Sequence, residues 1–478
     1  MSNLYRSIPV LLLAATSIFY EGCKLPALTP LPQQKSVPAR YSGNTDTSFS
    51  GKVSWRNFFG DRYLSNLIDT ALRNNPELQI TLQEIEIARN DIRVRQGRLL
   101  PSVIAGGGAG IEKVGLYTSQ GAGDASADIT PGQRVPEWLS DLRLGAYASW
   151  EVDIWKKLRT EKKAAVTRYL STIEGRNFVI TNLVAEMAGR YYELLALDNQ
   201  LDVVRRTIGL QKSALEVVRI QKQAARSTEL AVKKFEAEVL NSQSLEFDIL
   251  QKIRETENEI NFLAGRYPQP VEREKSNFLD QLPPVVSAGL PSRLLENRAD
   301  IRQAELDLTA AKLDVKVARA EFYPSFEIGS AIGFNAFKPG YLFRFPESMI
   351  FSLAGDLAGP LINKQAIRAE FASANARQLQ ALYNYERTIL NGYVEVSTGL
   401  SAIGNFDSLY QLKSRQVDTL TASVDIANDL FRAARADYFE VLMTQRDALD
   451  ARLELIETKL RQFTAVTRVY RALGGGWN

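Results

Sequence analysis

Proline is absent from two long parts of the chain. Of the 18 prolines, none lies from Glu137 to Tyr267 or from Leu361 to Asn478, stretches of 131 and 118 residues. Because proline breaks helices, such stretches can hold helices far longer than those of compact domains. From Arg159 to Gln223, an uninterrupted helix with a rise of about 1.5 Å per residue would be a rod of roughly 100 Å. The 478 residues therefore do not divide into compact domains of ordinary size.

The sequence contains an internal repeat. Residues 74–102 match residues 297–325 at a constant offset of 223, which pairs Pro101 with Pro324. Residues 182–265 match residues 391–474 at an offset of 209, which pairs Ala225 with Ala434. Two ordered blocks without gaps indicate a duplication. Each half is predicted to hold a helix ending in proline, a variable middle and a long helical hairpin that reverses near the paired alanine.

The helix before each of these prolines has a coiled-coil pattern. In the second half, apolar and small residues recur at alternating spacings of three and four, the period of a left-handed supercoil. They are Ile301, Ala304, Leu308, Ala311, Val315, Ala318 and Phe322. Alanine at alternate positions permits a close approach of neighbouring helices, so the fold is predicted to be mainly α-helical with coiled-coil packing.

Between helix and hairpin, the hydrophobic period changes to two. From Leu142 to Ile154, apolar residues alternate with polar ones, and the pattern recurs around Phe326 and Phe351. Each half therefore offers one β-hairpin, at about 102–155 and about 325–361. Strands with one apolar and one polar face are typical of membrane barrels, but a soluble sandwich with one wet face has the same pattern.

These strands favour an oligomer over a single copy. Four strands are too few to close a barrel, and open edges beside apolar faces promote aggregation. Strands pooled from several subunits would close the sheet and remove the edges.

The amino terminus has the pattern of an export signal. Arg6 precedes an apolar run from Ile8 to Tyr20, which is too short for a membrane-spanning helix but suits a signal peptide. We therefore expect residues 1–22 to be a signal peptide and Cys23 to be the lipidated (palmitate-bearing) first residue of a lipoprotein. The alternative is cleavage nearby with an unmodified thiol. Residues 23–60 are rich in proline and are predicted to form an extended tether.

Several functions are disfavoured by composition. The chain has no histidine, which excludes Ser-His-Asp catalysis and histidine metal ligands, and its one cysteine excludes an intrachain disulfide. A net charge of +3 over 478 residues is too small to indicate a nucleic-acid-binding surface. We predict no enzyme activity, no cofactor and no resident metal.

Five segments carry a family resemblance. They are Trp55 with Phe58-Phe59-Asp61, Ser149-Trp150-Glu151-Val152-Asp153-Ile154-Trp155, Arg298-Ala299-Asp300-Ile301, Ala318-Arg319-Ala320-Glu321-Phe322-Tyr323-Pro324-Ser325 and Ala472-Leu473-Gly474-Gly475-Gly476-Trp477. In this order they resemble the TolC-like outer-membrane channel family, in the lipoprotein subgroup that serves RND efflux pumps. The resemblance covers roughly residues 55–477.

The resemblance implies a passive exit duct in the outer membrane. It implies a homotrimer in which twelve strands form one β-barrel, continued by a periplasmic α-helical barrel. The two repeats would be residues 61–265 and 297–474, with an equatorial linker at 266–296 and a tail at 475–478. The implied partners are outer-membrane lipid, a periplasmic adaptor (membrane fusion) protein and an inner-membrane RND transporter. A duct for protein secretion and a non-conducting coiled-coil envelope protein remain alternatives.

The resemblance also implies functional positions. A periplasmic gate would fall on Phe439, Met443 and Arg446, which share one helix face at spacings of four and three. The family has an acid where this chain has Met443, so in place of a carboxylate–arginine lock we expect an apolar ring of Phe439 and Met443 that would close the pore by dewetting. The alternative is that these residues pack between helices.

The hairpin tips would contact the adaptor. They are expected at Ala225, Arg226, Ala434 and Arg435. Because alanine stands where the family often has glycine, we expect these turns to be more helical than usual.

Overall fold

A computed structural model describes residues 30, 32, 37–41, 48–275, 278–359, 364–433 and 435–477. Cys23, the expected signal peptide and Ala434 lie outside the described residues. By their internal contacts, the described residues fall into two units, each built from separate parts of the chain, and these are described separately. The first consists of Met1–Pro32, Ile87–Tyr169 and Asp307–Leu382, and the second of Gln33–Glu86, Leu170–Leu306 and Tyr383–Asn478.

Helices account for most of the described residues. In chain order they are α1 Trp55–Phe59, α2 Arg62–Asn74, α3 Pro76–Gly97, α4 Ser119–Ser126, α5 Lys157–Gln223, α6 Glu229–Leu263, α7 Arg293–Asn297, α8 Ala299–Ala320, α9 Gln365–Arg432 and α10 Tyr438–Ala472. The two proline-free stretches hold α5, of 67 residues, and α9, of 68 residues. The prediction of very long helices is therefore confirmed.

None of the described helices combines the length and the apolar character that crossing a membrane requires.

The internal repeat is confirmed in the helix lengths. The 22-residue helices α3 and α8 begin 223 residues apart, and the 35-residue helices α6 and α10 begin 209 residues apart. These are the offsets found in the sequence.

Individual contacts are duplicated as well. The Nδ2 of Asn75 donates to the Leu263 carbonyl at 2.9 Å, and the Nη1 of Arg298, at the equivalent position, donates to the Ala472 carbonyl at 2.8 Å. Gly474 follows with a φ of +81°, and a Cβ there would lie 2.8 Å from the Asn297 carbonyl oxygen. Glycine is required at this position both for its left-handed backbone and for this close approach.

The first unit contains a four-stranded antiparallel sheet. Its strands are β1 Ser102–Glu112, β4 Leu139–Glu151, β5 Ser325–Ala336 and β6 Met349–Ala358, in the order β1-β4-β5-β6. The two predicted hairpins are therefore confirmed and pair with each other through β4 and β5. The register places Ala146, Ile332 and Phe351 in one row, which puts the apolar residues of all three strands on one face.

Both edges of this sheet are open in the described chain. β1 and β6 each pair on one side only. The apolar face is exposed at β6, where Phe351 and Leu353 are each 79% accessible. Such a surface requires a partner.

The loop between β1 and β4 contains structure that the sequence pattern did not predict. Short helix α4 begins after Thr118, whose hydroxyl accepts a hydrogen bond from the Gly121 amide at 3.0 Å. It is followed by two short paired strands, β2 Asp128–Thr130 and β3 Gln133–Arg134.

The core of the second unit is rich in aromatic side chains. Phe58, from the opening segment, stacks on Tyr470 with ring centroids 3.9 Å apart. Tyr191 is fully buried and donates its hydroxyl proton to Asp61 at 3.0 Å. Burial, with the Asp61 charge, raises the pKa of Tyr191 well above its ordinary value. These contacts give Phe58 and Asp61 of the opening segment a role in the core of the second unit.

Lys459, on α10, is a buried cation in the second unit. The residue is only 3% exposed. Its Nζ lies 4.6 Å from the ring centroid of Tyr410 and 5.9 Å from that of Phe463. Burial lowers the pKa of Lys459 below 10.5, while the charges of Asp280 and Asp407 oppose the shift. The aromatic rings and the distant carboxylates thus compensate only part of the desolvation.

The Lys459→Met variant is expected to be more stable than the wild type near neutral pH, by about 1 kcal/mol, because an apolar side chain replaces a buried charge. In the wild type, the unfolded chain binds the Lys459 proton more tightly than the folded chain. The contribution of Lys459 to the free energy of unfolding therefore increases as the pH rises from the lowered pKa to 10.5. Urea unfolding across this pH interval measures the difference between the two proteins.

The exposed lysine Lys252, substituted as Lys252→Met, is the matched control. It should leave both the stability and its pH dependence unchanged. Equal stability of Lys459→Met and the wild type at all pH values would contradict the assignment of Lys459 as an uncompensated buried charge.

Candidate functional site

The expected gate residues form an exposed stripe on α10. Phe439 is 57% exposed, Met443 is 38% exposed, and the side chain of Arg446 is 58% exposed. The helix begins at Tyr438, so all three lie within its first turns on one face. The opposite face carries Val441 and other buried residues. We call Phe439, Met443 and Arg446 the gate stripe.

Arg446 has a carboxylate partner that sequence reasoning missed. Its Nε lies 4.0 Å from Oδ2 of Asp450, one turn further along α10. Both side chains are more than half exposed, so the pair contributes little stability. The i,i+4 spacing of the two residues was the signal for this pair, because it places them on one helix face. Position 443 holds a methionine, and the acid next to Arg446 is instead Asp450.

The first repeat has no matching stripe. The positions equivalent to Phe439, Met443 and Arg446 are Leu230, Lys234 and Ala237. Leu230 is exposed, like Phe439, but a lysine follows where the second repeat has methionine. Adjacent apolar side chains at these positions are therefore a property of the second repeat.

A left-handed turn at the end of α5 forms the first hairpin tip. Helix α5 ends at Gln223, Ala225 has a φ of +59°, and the amide of Arg226 donates to the Gln221 carbonyl at 2.8 Å. This is a Schellman motif, which normally has glycine at the left-handed position. The expectation of a more helical turn is wrong here, because the alanine adopts the glycine-like conformation instead of extending the helix.

The second tip repeats this hydrogen bond. The amide of Arg435 donates to the Leu430 carbonyl at 2.8 Å, at the equivalent position. The side chains of Arg226 and Arg435 are both exposed, so each tip presents one arginine to solvent.

The Ala225→Gly variant is expected to stabilise the first tip by about 0.5–1 kcal/mol, because glycine adopts a positive φ without the steric cost that alanine has. Hydrogen exchange at the amides of residues 226–228 should slow accordingly. Ala224→Gly is the control, since this residue directly follows the helix end, precedes the left-handed position and still donates its amide to the Ile220 carbonyl at 3.1 Å; there the same substitution should speed exchange. Faster exchange in Ala225→Gly would contradict the assigned backbone conformation.

Comparisons with known proteins agree with this architecture. The family model described as "Outer membrane efflux protein" matches residues 67–266 and 290–475. The chain is 27% identical to the probable efflux pump outer membrane protein SepC of Pseudomonas putida over 476 residues, which cover 97% of this chain and 96% of SepC. It is also 27% identical to the pyoverdine export outer membrane protein OpmQ of Pseudomonas aeruginosa, with 94% of each chain covered.

Solved structures share the fold. The MtrE outer membrane channel of Neisseria gonorrhoeae, solved in an open state, superposes with a TM-score of 0.82 at 22% identity, covering 95% of this chain and 98% of MtrE. CusC superposes with a TM-score of 0.81 at 24% identity, covering 94% of this chain and all of CusC. The two helical hairpins and the four-stranded sheet are therefore those of a TolC-like channel. The chain belongs to the outer membrane efflux protein family and is an efflux protein of the outer membrane with the TolC-like fold.

Proposed function

We propose that the protein is the passive exit duct of a tripartite RND-type efflux pump. It would work as a homotrimer with a periplasmic adaptor and an inner-membrane RND transporter, with no catalysis and no cofactor of its own. The observation that carries this proposal is the sheet, which has one exposed apolar face and two open edges, β1 and β6.

Three copies would pair the open edges of this sheet with one another. If β6 of each copy pairs with β1 of the next, three sheets of four strands close into one barrel of twelve, and no edge remains. The apolar row of Ala146, Ile332 and Phe351 would then face lipid. The opposite row of Tyr147, Ala331 and Ser352 would face the water-filled interior.

The gate stripe would close the periplasmic end of the duct. In a trimer, three copies of Phe439 and Met443 would form an apolar ring that excludes water when narrow. The exposed Arg226 and Arg435 at the tips would contact the adaptor. Because the hydrogen bond from Arg435 to Leu430 repeats the one from Arg226 to Gln221, each chain would offer the adaptor two similar docking points.

Acylation of Cys23 would anchor the chain to the membrane. Mass spectrometry of the mature protein should detect lipid on Cys23, and Cys23→Ser should abolish it. A mature chain that begins elsewhere with a free thiol would contradict the anchor but not the duct.

Conductance and mass test the proposal together. Native mass spectrometry of the purified protein should give three times the mass of one mature chain. In planar bilayers the protein should produce discrete single-channel currents. Trimers without current, even after Phe439 and Met443 are both replaced with alanine, would favour a non-conducting envelope protein. Currents that appear only when a protein substrate is added would favour a secretion duct.

A further inference from the structure

Two tryptophans mark the ends of the apolar row of β4. Trp138 directly precedes the strand and is 61% exposed, and Trp150 lies near its end and is 37% exposed. The two are 12 residues apart. At a rise of about 3.3 Å per residue and a tilt of about 40°, this distance spans roughly 30 Å, the thickness of the hydrocarbon core of a membrane. Because tryptophan is enriched at membrane interfaces, the lipid-facing surface is expected to end near Trp150.

Beyond Trp150, the chain leaves the sheet with two exposed apolar side chains. Ile154 is 51% exposed and Trp155 is 46% exposed. The indole of Trp155 stacks on the ring of Tyr323 with centroids 4.6 Å apart, and its Nε1 donates to the Pro324 carbonyl at 2.7 Å. Trp155 is therefore held in place while part of its ring stays accessible. A partly exposed indole whose polar atom is already satisfied suits a membrane interface.

Three exposed cations follow Trp155 directly. Lys156 precedes α5, and Arg159 and Lys163 follow it at spacings of three and four. We call these three residues the basic patch. The Nε of Arg159 lies 3.5 Å from Oδ2 of Asp153, whereas neither lysine forms an ion pair within the described ranges. Cations are unfavourable at the amino-terminal end of a helix, so the stability of α5 gives no reason for them.

The basic patch belongs to a strongly basic part of the first unit. The four described segments that flank the two hairpins carry 16 lysines and arginines against 6 aspartates and glutamates, a net charge of +10, whereas the whole chain carries +3. These segments are residues 87–101, 156–169, 307–324 and 364–382. The apolar face of the paired strands, by contrast, contains no charged residue. An apolar face followed at once by a surplus of positive charge is complementary to an anionic lipid surface.

We propose that the basic patch binds the headgroup of an anionic phospholipid. The two unpaired lysines would contact the phosphodiester, while Ile154 and Trp155 would lie against the upper part of the acyl chains. A lipid fits better than a free anion, because the cations adjoin exposed apolar side chains that a soluble phosphate would leave in water. The leaflet that supplies this lipid rests on the proposed function, whereas the binding itself does not.

Quenching of tryptophan fluorescence tests this site, using the protein in phosphatidylcholine nanodiscs that contain a minor fraction of either brominated phosphatidylglycerol or brominated phosphatidylcholine. The brominated phosphatidylglycerol should quench the wild type more strongly. Combining Lys156→Gln with Lys163→Gln should lower this preference about tenfold, because two charges that face the headgroup are lost. Combining Lys212→Gln with Lys234→Gln removes two exposed lysines of the second unit and should not change it. Where the first double variant loses its helical circular dichroism, Lys163→Gln alone should lower the preference about threefold.

The position of the contact is tested separately. Trp155→Phe should reduce the excess quenching by phosphatidylglycerol, because this indole adjoins Lys156, whereas Trp138→Phe, at the other end of β4, should leave it unchanged. Inorganic phosphate in the buffer should not remove the excess, and its removal would mean that the patch binds a free anion instead. Equal quenching of the wild type by the two brominated lipids, or equal effects of the two double variants, would also overturn the proposal. None of these outcomes depends on whether the protein conducts.

Discussion

Replacing both Phe439 and Met443 with alanine is expected to raise the single-channel conductance of the purified protein about fivefold, because smaller side chains widen an apolar constriction and let water enter it. Both side chains are exposed in the single chain and lie one turn apart on α10. Neither is part of the buried face of that helix, so the double variant should fold normally. Planar-bilayer recordings at fixed salt and voltage measure the effect.

The first repeat provides the control for this experiment. Leu230 is the equivalent of Phe439 and is exposed to a similar extent, so Leu230→Ala removes a comparable apolar side chain. It should leave the conductance unchanged, because Lys234 follows it where Met443 follows Phe439. If both variants raise the conductance equally, or if neither does, the gate does not lie at the stripe.

The Arg273→Met variant should have the largest effect on stability, lowering the free energy of unfolding by about 3–5 kcal/mol. The Nε of Arg273 lies 2.5 Å from Oδ2 of Asp198, and its Nη1 lies 2.6 Å from Oε1 of Glu257. The Arg273 side chain is only 4% exposed, and both carboxylates are buried nearly as well. Removing the guanidinium leaves two buried negative charges close together. Urea unfolding followed by far-ultraviolet circular dichroism measures the loss.

Lys275 is the matched control for Arg273. Its Nζ lies 3.8 Å from the same Asp198, but its side chain is 67% exposed. Because water screens an exposed pair, Lys275→Met should cost less than about 1 kcal/mol. Equal losses in the two variants would show that burial does not determine how much the Arg273 ion pairs contribute to the free energy of unfolding.

The repeat made much of this fold predictable. Matching offsets in the sequence correspond to matching helices and to the duplicated hydrogen bonds of Asn75 and Arg298. The alternation from Leu142 onward predicted β4, although the strand ends at Glu151 rather than near Ile154. The pairing of β4 with β5 was not predictable, because alternation fixes which face a residue occupies but not which strand lies beside it.

The site was less predictable than the fold. The spacing of Phe439, Met443 and Arg446 was sufficient to place them on one face, because helical geometry is regular. The left-handed turn at Ala225 was not predictable, since alanine ordinarily favours continued helix.

The central claim is that three copies of this chain pool their strands into one barrel. Electron cryomicroscopy of the purified protein in lipid nanodiscs tests it most directly. We predict three copies, with β1 of each hydrogen-bonded to β6 of the next and twelve strands around a central opening. A map in which β1 and β6 of one copy remain unpaired, or in which the sheet is covered by its own chain, would contradict the account.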